Sequence, residues 1–151
     1  MVVRGESGIG KSALVKQLLE ELRARAPDAL TLAGRCYERE SVPFKAFEGL
    51  VDALSRHLAS QPGEEAAAVL PRDASLLGQV FPVLRRVRAI QAAPALALGI
   101  QDPQARRARL FSAMRELLGR VADRRALVLV IDDLQWADVA ARARNQEDRQ
   151  D

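Results

Sequence analysis

The hydrophobic and polar positions in the first part of the chain predict strands and helices in turn. A short apolar run at residues 2–3 predicts a first strand. Leucines at helical spacing, with charged residues between them, predict a helix that begins near Lys11 and ends at Pro27. Residues 29–33 alternate as a second short strand does and are closed by Gly34.

The apolar spacing then becomes helical for most of the chain. Residues 44–58 predict an amphipathic helix that ends before Pro62. Three prolines interrupt residues 70–100, so we expect short helices joined by turns. Asp102 and Pro103 are typical of a capped helix start. The buried face of that last helix should carry Leu110, Phe111, Met114, Leu117, Leu118 and Val121.

A continuous aliphatic run at residues 125–131 predicts a strand buried on both faces, as parallel sheets require. Strands that alternate with helices indicate an α/β fold. After Val139 the apolar pattern ends in a charged sequence, for which we expect disorder. The sequence therefore predicts one domain at residues 2–138 and a disordered charged tail at residues 139–151.

Composition agrees with a single globular domain. The 151 residues are 48% hydrophobic and 28% charged, which excludes a fully disordered chain. Only 4% are aromatic, so the core should be aliphatic. The net charge is +3, but the basic residues are scattered among carboxylates, which favours a mixed solvated surface over a nucleic-acid interface.

The cysteine content and the lengths of the apolar runs indicate in which cellular compartment the protein is found. Cys36 is the single cysteine, so no intrachain disulfide can form. The first residues contain no secretory signal, and no apolar run approaches the roughly 18 residues that span a bilayer. We expect a cytoplasmic protein without a membrane partner.

A glycine-rich loop carries the strongest chemical signal. Residues 5–12 read GESGIGKS and match G-x-x-x-x-G-K-[ST], the Walker A pattern, at every defined position. Gly8 and Gly10 should adopt conformations that a Cβ disfavours, so that backbone N–H groups point at phosphate oxygens. Lys11 would reach the β- and γ-phosphates, and the Ser12 hydroxyl would bind Mg²⁺.

The alternative is a glycine turn without function, but the predicted strand before it and helix after it favour phosphate binding. The residues expected at the nucleotide are Gly5, Glu6, Ser7, Gly8, Ile9, Gly10, Lys11, Ser12 and Ala13.

An aspartate pair follows the aliphatic run and completes a Walker B pattern. Asp132 should hold Mg²⁺ opposite Ser12, because ligands lie at the carboxyl ends of strands in α/β folds. Asp133 would orient or deprotonate the attacking water. Taken alone, the pair is a weak signal, and the alternative is a strand that ends in a turn or a helix cap. Together with the loop, the pair predicts catalytic roles for Asp133 and Lys11.

Other polar residues carry weaker signals. His57 is better explained as a partly exposed helix residue than as a ligand, and Trp136 as a packing residue. A basic cluster is better explained as a solvated helix face than as a phosphate site; it comprises Arg85, Arg86 and Arg88.

Three stretches resemble the AAA-type ATPase module of the signal-transducing (STAND-like) NTPases, which is also described as an origin-recognition-like AAA ATPase domain. They are GESGIGKSALV, GRCYERESVPFKAFEGLVDALSRHL and LVLVIDDLQWAD. Residues 37–39 lie in the second of these stretches, and the chemistry of their side chains alone indicates no role. The resemblance implies a P-loop NTPase three-layer sandwich with a parallel sheet, Mg²⁺ and ATP as ligands, and slow hydrolysis that works as a switch. It also implies covalent neighbour domains, either a bacterial serine/threonine kinase or a helix-turn-helix regulator.

The resemblance covers residues 2–138 and omits parts that such modules contain. A strand with a sensor residue, a further strand and a lid follow the Walker B strand in the family. We therefore expect an incomplete fold, truncated at both ends. The leading hypothesis is an ATP-binding regulatory module. The alternatives are a DNA-associated origin-recognition-like ATPase, a small-molecule phosphotransferase and a non-functional gene remnant.

Overall fold

A computed structural model describes residues 2–6, 8–36, 45–94 and 102–133. Six α-helices, one 3-10 helix and two strands occur in these ranges. In chain order they are α1 (Lys11–Arg25), β1 (Leu30–Arg35), α2 (Lys45–Ala59), α3 (Gly63–Ala68), α4 (Ala74–Val80), the 3-10 helix (Pro82–Arg86), α5 (Arg88–Gln91), α6 (Pro103–Ala122) and β2 (Leu127–Asp132). The predicted tail at residues 139–151 lies outside the described residues.

The two strands form a parallel sheet, as the α/β prediction requires. Leu30 pairs with Leu127 at one end, and Arg35 pairs with Asp132 at the other. Both strands therefore end at the same edge of the sheet. The predicted first strand at residues 2–3 is wrong, because these residues are not in a strand. A run of two residues forms a strand only when a neighbouring strand pairs with its backbone groups.

The hydrophobic core lies where the helices pack on one another and on β1. Helix α2 packs against β1 and the 3-10 helix, and α4 packs against α5 and α6. The side chains in this core are almost all aliphatic, as composition predicts. Its fully buried members include Leu32, Leu50, Val51, Leu54, Leu58, Leu77, Leu84 and Leu117.

Polar contacts tie the elements of the core together. The hydroxyl of Ser55, which is fully buried on α2, donates to the carbonyl of Val83 in the 3-10 helix at 2.7 Å. Arg109 on α6 forms a two-bond ion pair with Asp73, just before α4, with distances of 2.9 and 2.6 Å. These bonds fix the 3-10 helix on α2 and α4 on α6, so the core is specified by polar as well as apolar contacts.

Two expectations about burial are wrong. Strand β2 is not buried on both faces, since Leu129 is 46% exposed and Ile131 is 40% exposed. Phe111, expected on the buried face of α6, is also exposed. Phe111 and Leu129 line an open apolar groove of about 530 Å³ between α6 and β2. No helix among the described residues combines the length and apolarity needed to cross a bilayer.

Candidate functional site

The loop that precedes α1 has the backbone that its sequence predicts. Gly8 and Gly10 have φ values of +83° and +93°, in the left-handed region that favours glycine. A Cβ added at either position would meet no atom within 4 Å. Backbone strain alone therefore requires glycine here, and the space beside both residues is open to a ligand.

The side chain of Lys11 lies inside its own loop. Its Nζ donates hydrogen bonds to the carbonyl oxygens of Gly5, at 2.9 Å, and Glu6, at 2.7 Å. These bonds use two of the three N–H groups of the ammonium. No carboxylate forms an ion pair with Lys11 in the part of the chain that the structure describes. Its positive charge is therefore held next to the glycine turn and is not neutralised there.

The start of α1 adds backbone donors to the same place. Gly10 is the N-cap residue, and among the described residues no side chain is seen to cap this helix end. Ser12 and Ala13 follow in the first turn and are exposed. An uncapped helix start carries a partial positive charge and N–H groups without intrahelical partners, which suit a phosphate group. The chemistry of the loop fits the anion that the sequence predicts.

The aspartate pair lies at the end of β2. Asp132 is the last residue of the strand, and its backbone carbonyl accepts a hydrogen bond from the N–H of Cys36 at 3.0 Å. The N–H of Asp133 donates to Oδ1 of Asp132 at 2.9 Å. Asp133 has φ = +55°, which is uncommon for a residue other than glycine but tolerated by aspartate. The pair thus lies at the carboxyl end of β2, at the sheet edge where α/β proteins bind ligands.

Arg35 reaches Asp133 from the neighbouring strand. Its Nε donates to Oδ2 of Asp133 at 2.7 Å. The contact follows from the sheet register, which places Arg35 opposite Asp132. Arg35 was not among the residues predicted for the site, because the pairing of the two strands cannot be read from their sequences. The one available signal was a charged residue just after the strand predicted at residues 29–33, which in the structure extends to Arg35.

Ser12 and Asp132 offer the type of oxygen that Mg²⁺ prefers. A hydroxyl and a carboxylate are hard ligands, and Mg²⁺ commonly takes one or two protein ligands and completes its shell with water and phosphate. Both side chains are exposed. Across the described ranges no group of three or more His, Cys, Asp or Glu side chains could hold a metal by itself. The donor set therefore fits a magnesium ion that arrives with a nucleotide.

The loop and the aspartate pair are built by different parts of the chain. Among the described residues, no hydrogen bond or ion pair joins the loop at residues 5–13 to Asp132. Helix α1, which carries the loop, buries none of its residues. The convergence of Lys11, Ser12 and Asp132 on one triphosphate stays a prediction, as do the nucleotide roles of the loop residues. Ser7, expected in the same loop, lies outside the described residues.

The weaker candidates have structural explanations where they are described. His57 is half-buried on α2, and burial, with a smaller contribution from Arg125, lowers its pKa below the usual 6.5. Arg85 donates to the carbonyl of Gly78 at 2.9 Å, and Arg86 donates to Asp52 at 3.3 Å. These contacts support structural roles for them. Trp136 and residues 37–39 lie outside the described ranges.

Comparison with known proteins identifies a family for nearly the whole chain. A family model described as "AAA ATPase domain" matches residues 1–145. No curated protein and no solved structure matches the chain. The match spans both the glycine loop and the aspartate pair.

Proposed function

Because this chain belongs to the AAA ATPase domain family, we propose that it binds Mg-ATP and hydrolyses it slowly as a regulatory switch. The family assignment makes the chain a nucleotide-binding P-loop module. The finer proposal is that residues 5–13 hold the triphosphate and that Asp132 and Asp133 complete the site. The support for it comes from the loop geometry and from the order of the two motifs in the chain.

The observation that carries this proposal is the position of Lys11. An ammonium held at 2.9 and 2.7 Å by two loop carbonyls lies beside two left-handed glycines and an uncapped helix start. A phosphate oxygen carries negative charge, so the Lys11 ammonium binds it more strongly than it binds a neutral carbonyl oxygen. A triphosphate would therefore draw Lys11 away from Gly5 and Glu6 without any rearrangement of the core.

Each residue has a separate role in this proposal. Lys11 binds the β- and γ-phosphates, and backbone N–H groups of the loop bind the remaining phosphate oxygens. Ser12 and Asp132 hold Mg²⁺, which when bound neutralises charge on the phosphates. Asp133 orients the attacking water and accepts its proton. Catalysis of this kind depends on positioning and charge and requires no covalent intermediate.

The regulatory role and the protein context are also proposals. The resemblance of the loop, the α2 segment and the aspartate segment to STAND-like modules supports a place beside a bacterial kinase or helix-turn-helix domain. The same resemblance supports a three-layer sandwich in which further strands extend the parallel sheet. The resemblance also supports ATP over GTP as the bound nucleotide.

Titration calorimetry with Mg-ATP tests nucleotide binding. We expect the native chain to release heat of binding and Lys11→Ala to bind at least tenfold more weakly, because a hydrogen bond to a charged group contributes about 1.5–3 kcal/mol. Lys16→Ala is the matched control, because it removes an exposed lysine one turn further along α1. Mg-GTP in a parallel titration measures base preference.

Two results would contradict the proposal. Equal affinities of the native chain and Lys11→Ala would show that the loop does not bind the triphosphate. An equal loss in Lys16→Ala would show that overall charge, and not the loop geometry, attracts the nucleotide.

A further inference from the structure

Glu6 places a carboxylate in the proposed phosphate loop. The backbone carbonyl oxygen of Glu6 accepts a hydrogen bond from Nζ of Lys11 at 2.7 Å, so the two residues are in direct contact. Glu6 is exposed, and among the described residues no lysine or arginine forms an ion pair with its side chain. A carboxylate without such a counter-ion therefore lies on the same short loop as the ammonium of Lys11.

The sequence of the loop makes this carboxylate important for the charge of the site. Glu6 and Lys11 are the only charged residues among residues 5–13, so the formal charges of their side chains cancel, although the two side chains form no ion pair. Backbone N–H groups and the start of α1 supply the remaining attraction for phosphate. A triphosphate that approaches the loop therefore meets one attractive and one repulsive side chain.

The repulsion from Glu6 extends to the place where a phosphate would bind. The Debye length is about 10 Å at 0.1 M salt, and a glutamate side chain is shorter than this distance. Because the backbone of Glu6 contacts Lys11, its carboxylate stays within electrostatic range of a phosphate that Lys11 binds. Free ATP carries roughly four negative charges at neutral pH, and Mg²⁺ neutralises about half of them. Glu6 therefore repels free ATP more strongly than it repels Mg-ATP.

We propose that Glu6 is a selectivity residue, whose carboxylate makes the loop prefer Mg-ATP over free ATP. This inference rests on the proposed function of residues 5–13 as the triphosphate site. Glu6 neither binds the metal ion nor takes part in hydrolysis in this role. Its side chain acts through space on the charge of the nucleotide, so the loop takes up the nucleotide together with its metal ion.

Coulomb's law gives the size of the expected effect. At about 8 Å in water, each unit of charge difference changes a dissociation constant by about twofold. The difference of about two units between free ATP and Mg-ATP therefore corresponds to about 3- to 5-fold at low salt. Salt at about 0.15 M screens the interaction and should reduce this factor to about twofold.

Titration calorimetry at low salt tests the role of Glu6, with ATP and excess Mg²⁺ in one series and ATP with EDTA in the other. The measured quantity is the ratio of the Kd for free ATP to the Kd for Mg-ATP. We expect Glu6→Gln to lower this ratio about 3- to 5-fold, mainly because free ATP binds more tightly. Glu20→Gln is the matched control and should leave the ratio unchanged. It removes an exposed carboxylate further along α1, which likewise forms no ion pair among the described residues.

Two further measurements separate the charge of Glu6 from its effect on the shape of the loop. Glu6→Asp keeps a carboxylate at this position and should retain most of the native ratio. Repeating the titrations of Glu6→Gln at about 0.15 M salt should reduce its effect to about twofold. An equal fall in Glu6→Asp and Glu6→Gln, or an effect that salt does not weaken, would overturn the selectivity role.

Other results separate a failure of this inference from a failure of the proposed function. A native chain that gives no heat with Mg-ATP overturns the proposed function and, with it, the role of Glu6. Only the role of Glu6 is overturned if the native chain binds Mg-ATP and free ATP equally, if Glu6→Gln leaves the ratio unchanged, or if Glu20→Gln lowers it as much. When neither the native chain nor Glu6→Gln binds free ATP detectably, the ratio counts as unchanged.

Discussion

The core region and the loop–helix region are stabilised in different ways. The core region comprises residues 45–94 and 102–122 together with β1, and it contains nearly all the fully buried apolar side chains. The loop–helix region comprises residues 2–25. None of the residues of its helix, α1, is buried. Packing holds the core region together, whereas the described loop–helix region depends on local backbone bonds and on the Lys11 contacts.

Exposed apolar side chains follow the same division. In the described ranges, the large ones lie either in the loop–helix region or on the α6–β2 face; they are Val2, Ile9, Leu14, Leu18, Phe111, Leu129 and Ile131. An isolated helix of 15 residues is marginally stable in water. Segments with few buried contacts open locally at low free-energy cost. The proposed phosphate site therefore lies in the less stable region, while the core region holds the sheet edge that bears Asp132 and Asp133.

Truncation of one leucine in each region tests this difference most strongly. Leu54 is fully buried on α2, and Leu18 is 37% exposed on α1. We expect Leu54→Ala to lower the free energy of unfolding by about 2–5 kcal/mol, because it leaves a cavity. Leu18→Ala should change it by less than about 0.5 kcal/mol. Urea denaturation followed by circular dichroism measures both values. Similar losses in the two variants would mean that α1 is packed as firmly as α2.

Two helical glycines give a smaller, purely steric comparison within the core region. A Cβ on Gly49 of α2 would lie 3.0 Å from the backbone carbonyl oxygen of Ala33 in β1, whereas a Cβ on Gly119 of α6 would meet nothing within 4 Å. Alanine favours a helix over glycine by about 1 kcal/mol, and overpacking costs about 1–3 kcal/mol. Gly49→Ala should therefore be less stable than Gly119→Ala by about 1–3 kcal/mol in the same urea assay. Equal stabilities would show that α2 does not pack closely on β1.

The sequence predicted the local elements better than their packing. The limits of α1 and α2 follow from leucine spacing and prolines, and the cap of α6 follows from Asp102. These features depend on residues that are close together in the chain, so a local sequence pattern can predict them. The burial of β2 depends on which elements cover its faces, and a run of aliphatic residues does not contain that information.

The candidate site shows the same limit. The left-handed glycines of the loop were predictable, because the residue type determines the accessible φ. The contact between Arg35 and Asp133 was not, since it requires the order and register of two strands separated by most of the chain. How the loop lies relative to the aspartate pair is likewise determined by packing and not by the motifs.

The smallest expected effect on stability comes from a comparison of the first turns of α6 and α1. The carboxylate of Asp102 accepts hydrogen bonds from the N–H groups of Gln104, at 3.0 Å, and Ala105, at 3.1 Å, whereas Gly10 leaves the start of α1 without a side-chain cap. Asp102→Ala should lower the free energy of unfolding by about 1 kcal/mol. Asp102→Asn should keep most of the stability that the cap contributes, because an amide oxygen can also accept the capping hydrogen bonds. Since α6 lies in the core region, neither variant should change the heat of Mg-ATP binding at the loop. A parallel loss of stability and nucleotide affinity in Asp102→Ala would mean that the two regions are energetically coupled, and that the loop takes its geometry from the core and not from its glycines.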